Sequence, residues 1–281
     1  MTKNLFFNKT VCLALFLMAT VATARAQKTY NTSIRGAVGN LKCVVTLPKL
    51  NANQKCPVAV IMHGFTGNKN EKLLIQISQG LQAKGIASVR FDFNGHGESD
   101  GQFRNMTIAN EIKDARAVIA NVKASKFADP NRIALVGHSQ GGVVASMTAG
   151  ILGTSQIKAL VLLAPAGNIG EQSKKGILLG VKFNPNNPPE TLQVWGHTVG
   201  KAYLQYAMTC DMYGTAAKYQ GPVCIIHGSA DKAVPCQFGK KYADVMRNAK
   251  WVLQPNDDHA LSKHRPQTLN TIVSFITKNL K

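Results

Sequence analysis

Gly137-His138-Ser139-Gln140-Gly141 lies between the β-branched run Arg132-Ile133-Ala134-Leu135-Val136 and the small-residue stretch Gly142-Val143-Val144-Ala145-Ser146-Met147, which reads as the start of a helix. A serine at the apex of a tight strand-to-helix turn is lifted out of the sheet, where a base reaches it from one side and a substrate from the other. Glycines two residues either side of Ser139 suit that turn, because a side chain there meets the neighbouring strand or helix. The bare G-x-S-x-G pattern is common; its strand-to-helix setting gives it weight.

The partners of such a serine follow it in the chain, acid first and histidine last. Val223-Cys224-Ile225-Ile226-His227 reads as a buried strand opening into Gly228-Ser229-Ala230-Asp231, which sets Asp231 just beyond the strand's carboxyl end. Lys250-Trp251-Val252-Leu253 is a second such run, leading into Asn256-Asp257-Asp258-His259. The predicted triad is therefore Ser139, Asp231 and His259: Ser139 Oγ gives its proton to His259 Nε2, while Asp231 accepts from Nδ1 and fixes the tautomer. Asp257 and Asp258 compete as orienting acids, but either must fold back on the ring, so Asp231 is preferred. The oxyanion donors are expected from the backbone N–H groups of Phe65, in His63-Gly64-Phe65-Thr66-Gly67 after the strand Val58–Met62, and of Gln140. Losing one such donor costs about 2.7 to 4 kcal/mol of transition-state stabilisation. His63 is read as orienting this loop rather than binding metal, and His96 and His138 as packing near the site.

Residues 1–26 combine a basic start (Lys3, Lys9), an apolar run from Val11 to Val21 too short to span a bilayer, and Ala24-Arg25-Ala26 of small-x-small form. They predict a cleaved leader and a periplasmic or secreted protein with no stable membrane association. One domain is expected for the rest, from residue 27 to 281. Cys12 falls in the leader; Cys43, Cys56, Cys210, Cys224 and Cys236 are an odd set without C-x-x-C spacing, so no metal or redox cofactor is expected and the pairing is left open. The formal charge is +19, with 33 Lys and Arg against 14 Asp and Glu. That excess favours encounter with anionic ligands and fades with salt. The lysines are spread along the chain without an arginine-rich run, which argues against nucleic acid as a partner. Monomer and homodimer both stay open.

Short β-branched runs alternate with helical stretches from Thr32 to Lys281, which predicts a mostly parallel sheet covered by helices on both faces, opened by an antiparallel pair at Ser33–Gly36 and Leu41–Leu47. Residues from about 165 to 221 are too many for an ordinary connection and are expected to form an inserted cap. It holds Phe183, Trp195 and four of the six tyrosines: Tyr203, Tyr206, Tyr213 and Tyr219. Such rings suit a planar aromatic acyl group, or else anchor the cap to the core. Gly95-His96-Gly97-Glu98-Ser99-Asp100-Gly101 looks like a dinucleotide loop, but its third glycine comes one position late, and it is read as a structural turn.

His63–Lys69, Arg90–Gly101 and Gly137–Gly142, taken together with Val143–Met147 and the cap after Leu163-Ala164-Pro165-Ala166, resemble the bacterial cinnamoyl (feruloyl) esterases of the α/β-hydrolase superfamily over nearly all of the chain after the leader. The resemblance implies that superfamily's fold, with an eight-stranded sheet, and hydrolysis of ferulate, caffeate or p-coumarate esters, small or polysaccharide-linked, as in plant cell-wall degradation. It also implies cap contacts to the phenol ring: Tyr203, and as the acidic contact either Glu171 or Gln172, with His63 and His138 beside the substrate. Two other readings stand beside it. A serine exopeptidase or monoacylglycerol lipase uses the same triad, and a basic carbohydrate-binding protein could retain the fold without catalysis.

Overall fold

The structure, a computed structural model, describes residues 27–281; the expected leader lies outside the described residues. In chain order the first half comprises β1 (Lys28–Arg35), β2 (Asn40–Leu47), β3 (Cys56–Met62), α1 (Lys72–Gln82), β4 (Ala87–Phe91), α2 (Ile108–Ala124), β5 (Ala128–His138), α3 (Gln140–Gln156) and β6 (Ala159–Leu163). The insertion follows, with α4 (Asn168–Lys174), the short pairs β7 (Ile177–Leu178) with β8 (Val181–Lys182) and β9 (Thr191–Val194) with β10 (His197–Gly200), then α5 (Lys201–Thr209) and α6 (Met212–Ala217). The chain closes with β11 (Val223–Gly228), α7 (Cys236–Val245), β12 (Ala249–Gln254) and α8 (Arg265–Asn279).

Eight strands form one sheet in the order β1-β2-β4-β3-β5-β6-β11-β12. Only β2 runs against its neighbours, so this is the α/β-hydrolase fold. β3 and β6 are apolar at every position because both faces are covered, and the two-residue period splits the central strands between two cores. Val58, Val60, Met62, Ile133, Leu135, Leu160, Leu162, Val223 and Ile225 face α2, α3 and the insertion. Ala59, Ile61, Ala134, Val136, Val161, Leu163 and Ile226 face α1 and α8. Truncating one of the leucines or isoleucines among these to alanine removes about 2 to 5 kcal/mol, cavity included.

Two elements differ from the sequence expectation. β1 begins at Lys28 rather than Ser33, as an edge strand turning Tyr30, Thr32 and Ile34 inward. α7, between β11 and β12, was not anticipated; it buries Phe238, Gly239 and Tyr242 on one face. The insertion lies between β6 and β11, which pair directly, so residues 165–221 leave and rejoin the sheet beside the elbow. Cys43, Cys56, Cys210, Cys224 and Cys236 are all free. No helix among the described residues is long and apolar enough to cross a membrane.

Candidate active site

Ser139 links β5 to α3 with φ 56 and ψ −121, a left-handed conformation that costs a non-glycine residue about 1 to 3 kcal/mol. Its backbone N–H donates to Leu163 O at 2.9 Å and its carbonyl accepts from Gly142 N. A Cβ on Gly141 would lie 2.3 Å from His63 O, so that residue lets the elbow touch the neighbouring loop. The serine stands at the amino end of α3, where the helix dipole favours negative charge.

His259 Nδ1 lies 2.7 Å from Asp231 Oδ2. Asp231 Oδ1 accepts the N–H groups of Ala233 and Val234 at 2.9 and 2.8 Å. Burial alone would raise the Asp231 pKa, but the hydrogen bonds from His227 and His259 and the backbone donors prevail and hold it well below the usual carboxylate range. Burial lowers the His259 pKa; the nearby His138 adds to this and the Asp231 bond opposes it, leaving a neutral imidazole suited to accept a proton. Asp257 instead receives the N–H groups of Lys263 and His264, and Asp258 those of Ser262, so neither orients the ring. No hydrogen bond joins Ser139 Oγ to His259 Nε2 among the described residues; such bonds often tighten only when substrate binds.

His138 and His63 hold the site from behind. His138 Nε2 donates to the His259 carbonyl at 2.9 Å, with the two rings 4.9 Å apart, so the residue before the serine grips the backbone of the expected base. Its Nδ1 faces Glu71 Oε2 at 3.7 Å. Burial lowers the His138 pKa, yet the Glu71 carboxylate outweighs it and raises it overall. His63 is fully buried: Nε2 accepts from Phe93 N–H at 3.1 Å and Nδ1 donates to Gly64 O at 2.8 Å. Gly64 O belongs to the peptide that carries the Phe65 N–H, so His63 fixes the expected oxyanion donor. A Cβ on Gly64 would sit 3.0 Å from Ser139 Cβ and 3.5 Å from Ser139 Oγ, which places this loop directly against the hydroxyl.

The structure places the expected substrate contacts as follows. Both ring nitrogens of His63 and Nε2 of His138 are bonded to protein partners, while Nδ1 of His138 has only the 3.7 Å contact with Glu71. Tyr203 is 1% exposed, and its hydroxyl donates to Gln140 Oε1 at 2.6 Å rather than facing open space. Glu171 pairs with Lys241, whose ammonium also lies 4.5 Å from the Tyr213 ring centre, so its carboxylate is spent at the surface of the insertion. Gln172 accepts a 3.5 Å contact from Asn168 Nδ2. The rings around the oxyanion loop are instead Phe65 with Phe103, Trp195 and Tyr203, at centroid separations of 5.3, 6.0 and 6.0 Å. Trp195, at the tip between β9 and β10, is 53% exposed.

Two side chains escaped the sequence reading. His227 Nε2 reaches both Asp231 Oδ2 at 3.1 Å and Val234 O at 2.8 Å, a second imidazole on the same carboxylate. Glu111 is buried beneath Gln140. Each breaks an apolar pattern: His227 in a fully buried strand, Glu111 on the stripe Ile108, Ile112, Ala115, Val118 of α2. The turn after β4 is structural, as expected: Asp92 accepts the Lys69 N–H at 2.6 Å and its Nζ at 2.7 Å, and His96 Nε2 bonds Phe65 O at 2.6 Å. The described residues contain no group of three or more His, Cys, Asp or Glu that could hold a metal.

The Hydrolase_4 family, serine aminopeptidase S33, matches residues 53–206. Est1E from Butyrivibrio proteoclasticus, solved with ferulic acid bound, is 33% identical, superposes with a TM-score of 0.84, and the match covers 88% of this chain and 98% of that one. Protein ABHD12B of Homo sapiens is 27% identical over 232 residues, 79% of this chain, and the chain spans only 61% of that protein's length. The mitochondrial palmitoyl-protein thioesterase ABHD10 of Bos taurus is 26% identical over 225 residues, 74% of this chain and 69% of that protein.

Proposed function

Because this chain belongs to the serine aminopeptidase S33 family of α/β-hydrolases, we propose that it is a carboxylic ester hydrolase cleaving hydroxycinnamate esters such as ferulate, caffeate and p-coumarate. In this reading His259 Nε2 takes the Ser139 proton as Oγ attacks the ester carbonyl carbon, and Asp231 on Nδ1 stabilises the imidazolium that forms. The tetrahedral oxyanion is held by the N–H groups of Phe65 and Gln140. Collapse breaks the ester C–O bond, and the imidazolium protonates the departing alcohol. Water then attacks the acyl-enzyme by the same steps in reverse order and releases the acid.

The observation that carries the aromatic acyl preference is the ring cluster at the oxyanion loop, where the exposed Trp195 stands edge-on to Phe65 at 6.0 Å. A flat cinnamoyl group finds edge and face partners there, each worth about 0.5 to 1.5 kcal/mol beyond burial. The likeness to Est1E, a ferulic acid-binding protein, supports the same reading. The test is a side-by-side assay of methyl ferulate, a monoacylglycerol, a palmitoyl thioester and an aminoacyl-naphthylamide. Fastest kcat/KM on methyl ferulate is expected; negligible turnover of it beside fast turnover of any other replaces the substrate assignment.

A further inference from the structure

Glu111 lies beneath the elbow, 1% exposed, and Gln140 Nε2 stands 2.9 and 2.8 Å from its two oxygens. The other end of the same amide, Oε1, accepts the Tyr203 hydroxyl from the insertion at 2.6 Å. The opposite half of the oxyanion loop is also close: His96 Nε2, which bonds Phe65 O, is 4.0 Å from Glu111 Oε1. One carboxyl group thus stands between the Gln140 side chain, itself bonded to the cap, and the His96 ring that holds the loop carrying Phe65.

A buried acid with no cation in bonding contact is costly unless it has a task or full hydrogen bonding. Burial pushes the Glu111 pKa up to about 8, against the Gln140 bond that lowers it and with the Asp114 charge that adds to the rise. Amide orientation is an assignment, and reversing it serves the protonated acid equally. Neutral Glu111 then donates to Gln140 Oε1, and Gln140 Nε2 donates to the Tyr203 oxygen. The tether survives either ionisation state.

We propose that Glu111 is a positioning residue that, through the Gln140 side chain, sets the Gln140 backbone N–H at the oxyanion hole and locks it to the cap helix through Tyr203. The proposal rests on the serine-esterase reading above. Gln140 is the first residue of α3, so a rotation of its side chain bears directly on the peptide N–H between Ser139 and Gln140. Complete loss of an oxyanion donor costs about 10² to 10³ in kcat; misalignment forfeits part of that.

The experiment compares Glu111→Leu, Glu111→Gln and Gln140→Met with the wild type on p-nitrophenyl acetate, each normalised to active sites counted by complete labelling with a fluorophosphonate. A purely structural role reduces the number of titratable sites, whereas a positioning role reduces kcat per site. Expected are a 10- to 100-fold fall in kcat per site for Glu111→Leu and Gln140→Met with KM within threefold. Glu111→Gln, which keeps an acceptor for Gln140, stays within threefold of the wild type, and the Glu111→Leu/Gln140→Met pair is no worse than either single change. Wild-type kcat per site in Gln140→Met overturns the proposal even if Glu111→Leu does not fold, as does equal loss in the Gln and Leu variants. A wild type that neither turns over p-nitrophenyl acetate nor reacts with a fluorophosphonate overturns the underlying esterase reading instead.

Discussion

Replacing Gly64 by alanine separates chemistry from folding. The added Cβ would lie 3.0 Å from Ser139 Cβ, 3.5 Å from Ser139 Oγ and 3.6 Å from His138 O. The 3.0 Å approach is tighter than ordinary van der Waals contact, so a few tenths of an ångström of clearance must be created. Neither side yields easily. Ser139 is held by its bond to Leu163 O and by the start of α3, and the loop is held by His63 on Gly64 O. Overpacking of this kind costs about 1 to 3 kcal/mol of stability, which a domain of this size tolerates. The displacement, however, falls between nucleophile and oxyanion donor, where a lost N–H is worth about 2.7 to 4 kcal/mol. Gly64→Ala is therefore expected to fold, to keep KM within a few-fold, and to lose about 10 to 10² in kcat on p-nitrophenyl acetate, part of what complete loss of the donor costs, with stability followed by urea unfolding. A folded variant with kcat within threefold of wild type refutes the placement of the oxyanion hole beside Gly64 and Phe65.

Three further outcomes follow from the same geometry. His227→Leu removes a donor shared by Asp231 and Val234 O, so about 1 to 2 kcal/mol of stability and about tenfold in kcat are expected to go, while His227→Gln restores most of both; equal behaviour of the two variants contradicts a hydrogen-bonding role. Glu111 has a folded pKa of about 8, above its unfolded value, so its contribution to stability is complete below about pH 4.5 and is lost as pH rises to about 8. Wild-type stability relative to Glu111→Gln should accordingly fall by about 1 kcal/mol per pH unit across that window in urea titrations, and a gap independent of pH contradicts it. Trp195→Ala should raise KM for methyl ferulate about 3- to 10-fold, with a smaller effect on p-nitrophenyl acetate; equal effects on both detach Trp195 from recognition of the ring.

What the sequence made legible was local. The elbow at Gly137–Gly141 can be read because strand, turn and helix are contiguous, Asp231 because it follows the buried strand β11, and His259 because it follows β12, the edge strand beside it. Contacts between distant segments were not legible. Gln140 meets Glu111 across 29 positions, and His138 meets Glu71 across 67, pairings created only when α2 and the loop before α1 pack beside the elbow. Packing of the Tyr203 helix on the elbow turns that hydroxyl to Gln140, a contact across 63 positions. Glu171, which with Gln172 is a candidate for the acidic contact, pairs with Lys241, 70 positions later. α7 went unrecognised because its polar Lys240, Lys241 and Asp244 interrupt a short apolar stripe.

The central claim is that Ser139 carries the acyl group in a step driven by His259. Acid quenching during turnover of an activated ferulate ester, followed by peptide mass mapping, measures it directly. A feruloyl adduct on the peptide containing Ser139, formed at the burst rate and absent from His259→Ala, is the predicted result. Steady turnover with no adduct, or an adduct confined to another residue, contradicts the account.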